Sequence, residues 1–317
     1  MYDVLHSICD KHGIFLRREA IAFGYTDQDL ARAVRVGALH RVRHGSYVLR
    51  KRWDPLSTNE KHAVRAMAVL RTARAELVCS HVTAIVLHGA PTWDLPLDDV
   101  HVTRRDGRAG RRETGLAQHR GLLAPGDVVE LNGSEVTSPC RTALDLSTMA
   151  DIEHCLPVFD HFLHAGATTV PELRRGASAM ARWSGTLHTD LVIALANGRR
   201  ESVGESRTGY LLWSGGLRAP QPQYEIRDSD GTLIARVDFA WPELGVFLEF
   251  DGKEKYLKHR REGEALIDAV LREKRREERI CRLTGWRCIR ITWADLYRPE
   301  ETIALIQAVL AGGPVHA

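Results

Sequence analysis

The residues best suited to chemistry lie close together in the last third of the chain: Asp238, Glu249 and Asp251, followed by Lys253 and Lys255. Three strand-like segments carry or flank them, Gln223 to Arg227, Leu233 to Ala240 and Val246 to Asp251. Between them, Asp228-Ser229-Asp230-Gly231 and Pro242 to Gly245 have the composition of turns. The pattern predicts a β-meander. Folding its second hairpin symmetrically about the Glu243–Leu244 bond sets Asp238 opposite Glu249, and directly opposed Cβ atoms are about 5 Å apart. Residues two apart on a strand share a face, so Asp251 joins them. Three carboxylates on one patch repel one another unless a cation lies between them, and their hard oxygens suit Mg²⁺ or Mn²⁺. Val246, Phe247, Leu248 and Phe250 make the third strand strongly apolar. An uncompensated carboxylate is costly in such a place, and a metal removes that cost. Taken singly, each acid reads as well as a solvent-facing residue or the partner of an arginine such as Arg236. Taken together, their convergence favours a metal site. Lys253 and Lys255 are then placed to orient or deprotonate an attacking water, or to stabilise a pentacovalent phosphate.

The elements that must hold these residues are legible on both sides. Glu205 falls in a helix running towards Trp213 and adds a further carboxylate, although Ser202 and Glu205 also fit a capping box that accounts for the acid by itself. Ala265 to Leu283 reads as a long basic helix closed by Gly285, with Arg272, Arg275, Arg276 and Arg279 as candidates to track a nucleic-acid backbone. Trp286 to Ile291 reads as a strand and Trp293 to Leu310 as one amphipathic helix. The order is helix, three strands, helix, strand, helix.

That order and its residues resemble the PD-(D/E)xK nuclease superfamily, in the branch related to very-short-patch-repair endonucleases. The likeness is carried by Val237-Asp238-Phe239, by Leu248-Glu249-Phe250-Asp251-Gly252, and by Gly285-Trp286-Arg287-Cys288-Ile289-Arg290-Ile291-Thr292-Trp293, and covers roughly residues 200 to 311. It implies that Asp238 and Glu249 ligate the metal and that Glu205 is the helix acid. Asp251 stands where the superfamily has its lysine. Relatives in this branch also carry an acid there, often with a later histidine whose place Lys255 takes.

Upstream, the first 50 residues show three short helical patterns and a hairpin. Val4, Leu5, Ile8 and Cys9 recur at helical spacing, and Leu16, Ala20 and Ile21 form a second apolar stripe. Thr26 is a hydroxyl N-cap ahead of Asp27 and Asp29, with Leu30, Ala33 and Val34 on the inner face and Gly37 as the stop. His40 to Leu49 alternates around Gly45, as a two-stranded wing does. Three helices and a wing make a winged helix-turn-helix. In such a module the third helix enters the major groove and presents Gln28, Arg32 and Arg35, while Arg41 and Arg43 on the wing meet phosphates. Winged helices also serve as protein-interaction modules, so the fold alone does not decide.

From Ser57 to Arg200 the sequence says less. Asn59 to Ala73, Ser80 to His88, Asp151 to His164 and Pro171 to Met180 read as helices, and Val100 to Thr103 as a strand entering the basic loop Arg104 to Arg112. His81, His88, His101 and His119 lack helical ligand spacing with an acidic partner and read as structural or surface histidines. Residues 1 to about 180 resemble the AbiEi-type antitoxins of bacterial abortive-infection and type IV toxin-antitoxin systems. The strings that carry this are Arg43-His44-Gly45-Ser46-Tyr47-Val48, Ser80-His81-Val82-Thr83-Ala84 with Leu87-His88-Gly89-Ala90-Pro91, and Thr137-Ser138-Pro139-Cys140-Arg141-Thr142-Ala143-Leu144-Asp145-Leu146. The resemblance implies DNA binding, autoregulation and a cognate toxin as partner.

A chain of 317 residues with 44% hydrophobic and 27% charged content has room for two or three cored domains. No run approaches the roughly 18 apolar residues of a membrane span, and no basic-then-apolar leader opens the sequence, so the cytoplasm is the expected address. Cys9, Cys79, Cys140, Cys155, Cys281 and Cys288 show no paired spacing and read as reduced thiols. A net charge of +3 proves no partner, and arginine runs are more often solvated faces. The expected fold class is α/β (α+β): a winged helix-turn-helix over residues 1–56, a mixed α/β middle domain over 57–200, and a restriction-endonuclease-like core over 201–317. The expected function is DNA binding with Mg²⁺- or Mn²⁺-dependent phosphodiester hydrolysis. The alternative is an AbiEi-type antitoxin or transcriptional repressor whose nuclease-like domain does not cut.

Overall fold

Thr26, Ser57, Ser138, Asp151, Thr169 and Ser202 each accept a backbone N–H at a helix start. They satisfy donors that the first turn leaves open, and so fix where the helices begin. The computed structural model describes residues 5, 7–108, 110, 112–228, 230–252 and 266–313, with the backbone alone over 266–273. It divides the chain into two units of mixed α/β structure, Met1–Ala150 with Ala167–Asp190, and Asp151–Gly166 with Leu191–Ala317. Among the described residues no helix is long and apolar enough to cross a membrane.

The first unit opens with β1 (Ile14–Leu16), α1 (Arg17–Ala22), α2 (Asp27–Arg35), β2 (Leu39–Arg43) and β3 (Ser46–Leu49). The strands form an antiparallel sheet in the order β1-β3-β2. Phe15, Ala20, Leu30, Ala33, Leu39 and Leu49 fill the core beneath it, and the wing turns at Gly45 with φ +74°. Two details differ from the sequence reading. Leu16 lies on a strand, and Ile21 is 40% exposed, because β1 pairs with the wing and takes the inward place that a helical stripe would give Ile21.

Next come α3 (Arg50–Trp53), α4 (Thr58–Thr72), β4 (Leu77–Cys79), α5 (His81–Leu87), β5 (Val100–Arg104), β6 (Arg112–Glu113), β7 (Leu116–Arg120), β8 (Val128–Leu131), β9 (Ser134–Thr137) and α6 (Pro139–Ser147). The strands make one mixed sheet ordered β6-β7-β5-β4-β9-β8. In chain order α7 (Ile152–His164) belongs to the second unit, α8 (Val170–Ala179) to the first, and α9 (Thr189–Leu195) runs across the division.

The second unit adds α10 (Val203–Ser214), β10 (Gln221–Arg227), β11 (Leu233–Trp241), β12 (Val246–Asp251), α11 (Leu266–Thr284), β13 (Arg287–Thr292), α12 (Trp293–Leu296) and α13 (Pro299–Leu310). Its sheet is ordered β10-β11-β12-β13, antiparallel except for the parallel β12–β13 pair. Parallel neighbours need a crossover, and α11 supplies it. Phe239, Trp241, Leu248 and Phe250 pack with Leu211, Ile306 and Val309, whereas Ala240 and Phe247 pack with Ile280 of α11, so the sheet is covered on both faces. Helix α7 is tied in by Asp160, which accepts Asn197 N at 2.6 Å, Ser206 Oγ at 2.7 Å and Arg200 Nη1 at 3.1 Å. The stretch from Trp293 is two helices rather than one. Asp295 closes a capping box on Thr292, and Pro299, which lacks an N–H, starts a new helix after Arg298 leaves the helical region at φ −126°.

Candidate functional site

The β11–β12 hairpin has the register that its symmetry predicts: Trp241, Ala240 and Phe239 face Val246, Phe247 and Leu248. Gly245, in the left-handed region at φ +57°, closes the turn. Continued one step beyond these pairs, the same register sets Asp238 opposite Glu249. They are 8% and 7% exposed, and Asp238 Oδ2 accepts the Phe250 N–H at 2.9 Å. Glu249 and Asp251 alternate with Phe247 and so share the face that α11 covers. From that helix Arg276 Nη1 reaches Glu249 Oε1 at 3.0 Å, while its Nη2 donates to the Arg236 carbonyl. Arg290, on β13, bonds Asp251 Oδ2 at 3.0 Å and also pairs with Glu277 of α11. Arg236 itself pairs with Glu201.

Glu205 is buried at the start of α10 and accepts three hydrogen bonds. It accepts Ser202 Oγ at 2.8 Å, Glu201 N at 3.1 Å and Gln223 Nε2 at 2.7 Å. Gln223 lies between Pro222 and Tyr224, which pair with Phe239 and Val237, so the strand register sets it opposite Asp238 while its side chain holds Glu205. Its backbone is left-handed, φ +49°, a strain that cluster geometry has to hold. The sequence reading missed Gln223, Arg290 and the inward turn of Arg276. Arg275 and Arg279 are exposed on α11. Lys253, Lys255 and the side chain of Arg272 lie outside the described residues.

Among the described residues no three His, Cys, Asp or Glu side chains are grouped so as to hold a metal ion, and Asp251 is held by Arg290. Asp238 and Glu249 nevertheless fit Mg²⁺ as a pair, because that ion keeps several waters and is usually bound through one or two carboxylates. The Phe250 N–H takes one of the roughly four lone-pair sites of the Asp238 carboxylate.

In the first unit the winged helix presents a polar face. Thr26 Oγ1 accepts Asp29 N at 3.2 Å, and Asp29 in return accepts Thr26 N at 2.9 Å. This box orients α2 with Leu30 and Ala33 inward and with Gln28, Arg32 and Arg35 exposed. Positions 28, 32 and 35 lie on one helical face. Arg41 on the wing is exposed, but Arg43, beyond a bulge in β2, is half-buried. Residues 4–50 match the family described as transcriptional regulator, AbiEi antitoxin. Two relatives titled uncharacterized proteins, MT2308 of Mycobacterium tuberculosis strain CDC 1551 / Oshkosh and Rv2248 of strain ATCC 25618 / H37Rv, are each 27% identical over 281 residues, covering 88% of this chain and 94% of theirs. The crystal structure of RV2827C protein from Mycobacterium tuberculosis aligns with a TM-score of 0.42 at 12% identity, over 71% of this chain and 87% of that one.

Beyond the AbiEi-like segment lies a polar cluster that the sequence reading treated as separate histidines. His81 and His119 stack with ring centroids 3.7 Å apart, and His101 Nδ1 lies 2.9 Å from His119 Nε2. Ser80 Oγ bonds His81 Nδ1 at 2.9 Å and accepts Thr103 Oγ1 at 2.8 Å. Asp145 Oδ2 comes within 3.8 Å of His81, while Asp145 Oδ1 accepts Arg141 Nε at 2.7 Å. His88 stands apart and bonds the Thr137 carbonyl. Burial lowers the pKa of all three clustered histidines, His101 and His119 to about 4, and raises that of Asp145 to about 6 against the pull of Arg141. The only advance signal was that Ser80-His81 and Arg141 to Asp145 fall inside the strings quoted above.

Proposed function

We propose that this chain binds DNA through its winged helix and hydrolyses a phosphodiester at the Asp238–Glu249 pair. The observation that supports it is the hairpin register from Trp241–Val246 to Phe239–Leu248, which, continued by one step, brings the two buried carboxylates opposite each other on the sheet face beneath a basic helix. Asp238 and Glu249 would hold Mg²⁺ or Mn²⁺, which supplies a water of lowered pKa and charge neutralisation at phosphate. Glu205, through Gln223, positions the Asp238 strand. Arg276 carries a positive charge that a phosphate can share. Gln28, Arg32, Arg35 and Arg41 read and grip the duplex. Such a protein works in the cytoplasm, with DNA as its partner.

The test is cleavage of supercoiled, linear and single-stranded DNA by wild type and Asp238→Ala, with Mg²⁺, with Mn²⁺ and with chelator. The expected result is metal-dependent cutting that disappears in the variant. Absence of cutting by wild type on every substrate overturns the hydrolytic half. One observation favours a second reading: the match of residues 4–50 to transcriptional-regulator antitoxins. Under it the chain is a repressor with a cognate toxin, and salt-sensitive, sequence-preferring DNA binding survives Glu249→Ala.

A further inference from the structure

We propose that an arginine-walled cleft in the first unit, outside the recognition helix, is a phosphate-binding site that grips the DNA backbone beside the winged helix. This rests on the DNA-binding half of the proposed function. The cleft has a volume of about 420 Å³ and is walled by Arg43, Arg74, Arg104 and Arg108 against two acids, Asp106 and Glu113, with Val69, Leu77 and Leu116 among its apolar lining.

Three observations carry the assignment. The first is the bulge between Arg41 and Arg43. In an even strand the two would share a face, but a bulge re-aims the side chain that follows it, and Arg43 lines the cleft while Arg41 stays on the exposed wing. The second is the distribution of partners. Asp106 is shared, holding Arg104 at Nε by a 2.9 Å bond and Arg108 at 3.8 Å. Arg43 and Arg74 make no ion pair among the described residues, and Glu113 is the only group that offsets the burial lowering the pKa of Arg43. A half-buried guanidinium without a bonded carboxylate is stabilised by an incoming anion, and Arg forks suit phosphate oxygens. The third is the wall. Its lining is mainly polar and sets four arginines against two acids, an excess of positive charge that attracts an anion. Arg43 lies on the same strand as Arg41, so the cleft continues the basic track of the wing, and a duplex backbone is the phosphate source that fits.

The experiment is fluorescence anisotropy of the full chain with a mixed-sequence duplex over a salt series. It compares wild type, the double variant Arg43→Gln/Arg74→Gln, its Lys counterpart, and Arg32→Ala, each checked for folding by circular dichroism. Each phosphate contact contributes about 0.9 to the slope of log affinity against log salt, so the Gln variant is expected to flatten the slope by about two while weakening all sequences alike. The Lys variant keeps most of the slope. A folded Gln variant with wild-type slope and affinity, beside an impaired Arg32→Ala, overturns the cleft and leaves the winged-helix reading standing. Inorganic phosphate or a mononucleotide that binds wild type but not the Gln variant, with the DNA slope unchanged, also overturns the backbone assignment and gives the cleft to a free phosphate ligand. A wild type that binds no duplex overturns both readings.

Discussion

At Glu249 two cations compete in principle for one carboxylate: the guanidinium of Arg276, seated at 3.0 Å, and the metal that the proposed function requires. Removing Arg276 takes positive charge from a buried acid. The cost is on the order of 1–2 kcal/mol, since Arg276 is itself about a third exposed and screened. Arg276→Gln is therefore expected to melt a few degrees below wild type in chelator, and Mn²⁺ should raise its melting temperature more than it raises that of wild type. Equal Mn²⁺ shifts in the two proteins would show that Arg276 and the metal do not share Glu249. The acids at this site were legible because hairpin symmetry is a local property: four turn residues fix which positions face each other. Their arginine partners were not, since Arg276 is 27 positions from Glu249 and Arg290 is 39 from Asp251. Nothing in a sequence period says which way a basic helix turns its charges.

At the scale of elements, α10 is pressed against the sheet where Gly204 meets Phe250. A Cβ at Gly204 would sit 2.0 Å from Phe250 Cε1, in a ring that already packs edge-on against Trp293. No rotamer of a buried Phe absorbs that overlap cheaply, so the helix has to lift. Gly204→Ala is expected to destabilise the second unit by about 1–3 kcal/mol, and to disturb Glu205, the next residue, more than the distant Ser214 end. A urea midpoint equal to that of wild type would count against this packing. Three helices that start at capping boxes, at Thr26, Ser57 and Thr169, were read from the sequence, but a cap alone did not suffice at Ser138. The short strands β4, β7, β8 and β9 and the helix α6 were not called from sequence. A three- to five-residue strand carries too little periodicity, and the parallel partners β4 with β9 and β5 with β7 share no turn that would announce them. The same blindness hid the histidine cluster, whose members reach one another only once β5 and β7 pair.

At the scale of the whole molecule the two units differ in how they answer to acid. In the first, burial lowers the pKa of His12, His40, His62, His81, His88, His101 and His119. In the second, it does so for His161. A histidine whose folded pKa is depressed binds its proton more readily when unfolded, so its contribution to stability is present above about pH 6.5 and is lost as pH falls towards the folded value. Asp145 acts in the opposite sense between about pH 4 and 6, because its raised pKa favours the folded state at low pH. It is one group against the stacked trio of His81, His101 and His119. Asp160, buried in the second unit and raised by burial, favours the folded unit as pH falls. The first unit is therefore expected to lose stability between pH 7 and pH 4.5 while the second changes little. Since the chain has two units, unfolding need not be a single transition. Calorimetry across that range should show one transition moving down in temperature with falling pH and another holding its place. Hydrogen exchange at pH 5 should locate the weakened amides in β4, β5 and β7 rather than in β11 and β12. Two transitions that shift together, or weakening confined to the second unit, would mean that the histidine cluster does not govern the acid response, and that Asp145 or the surface ion pairs outweigh it.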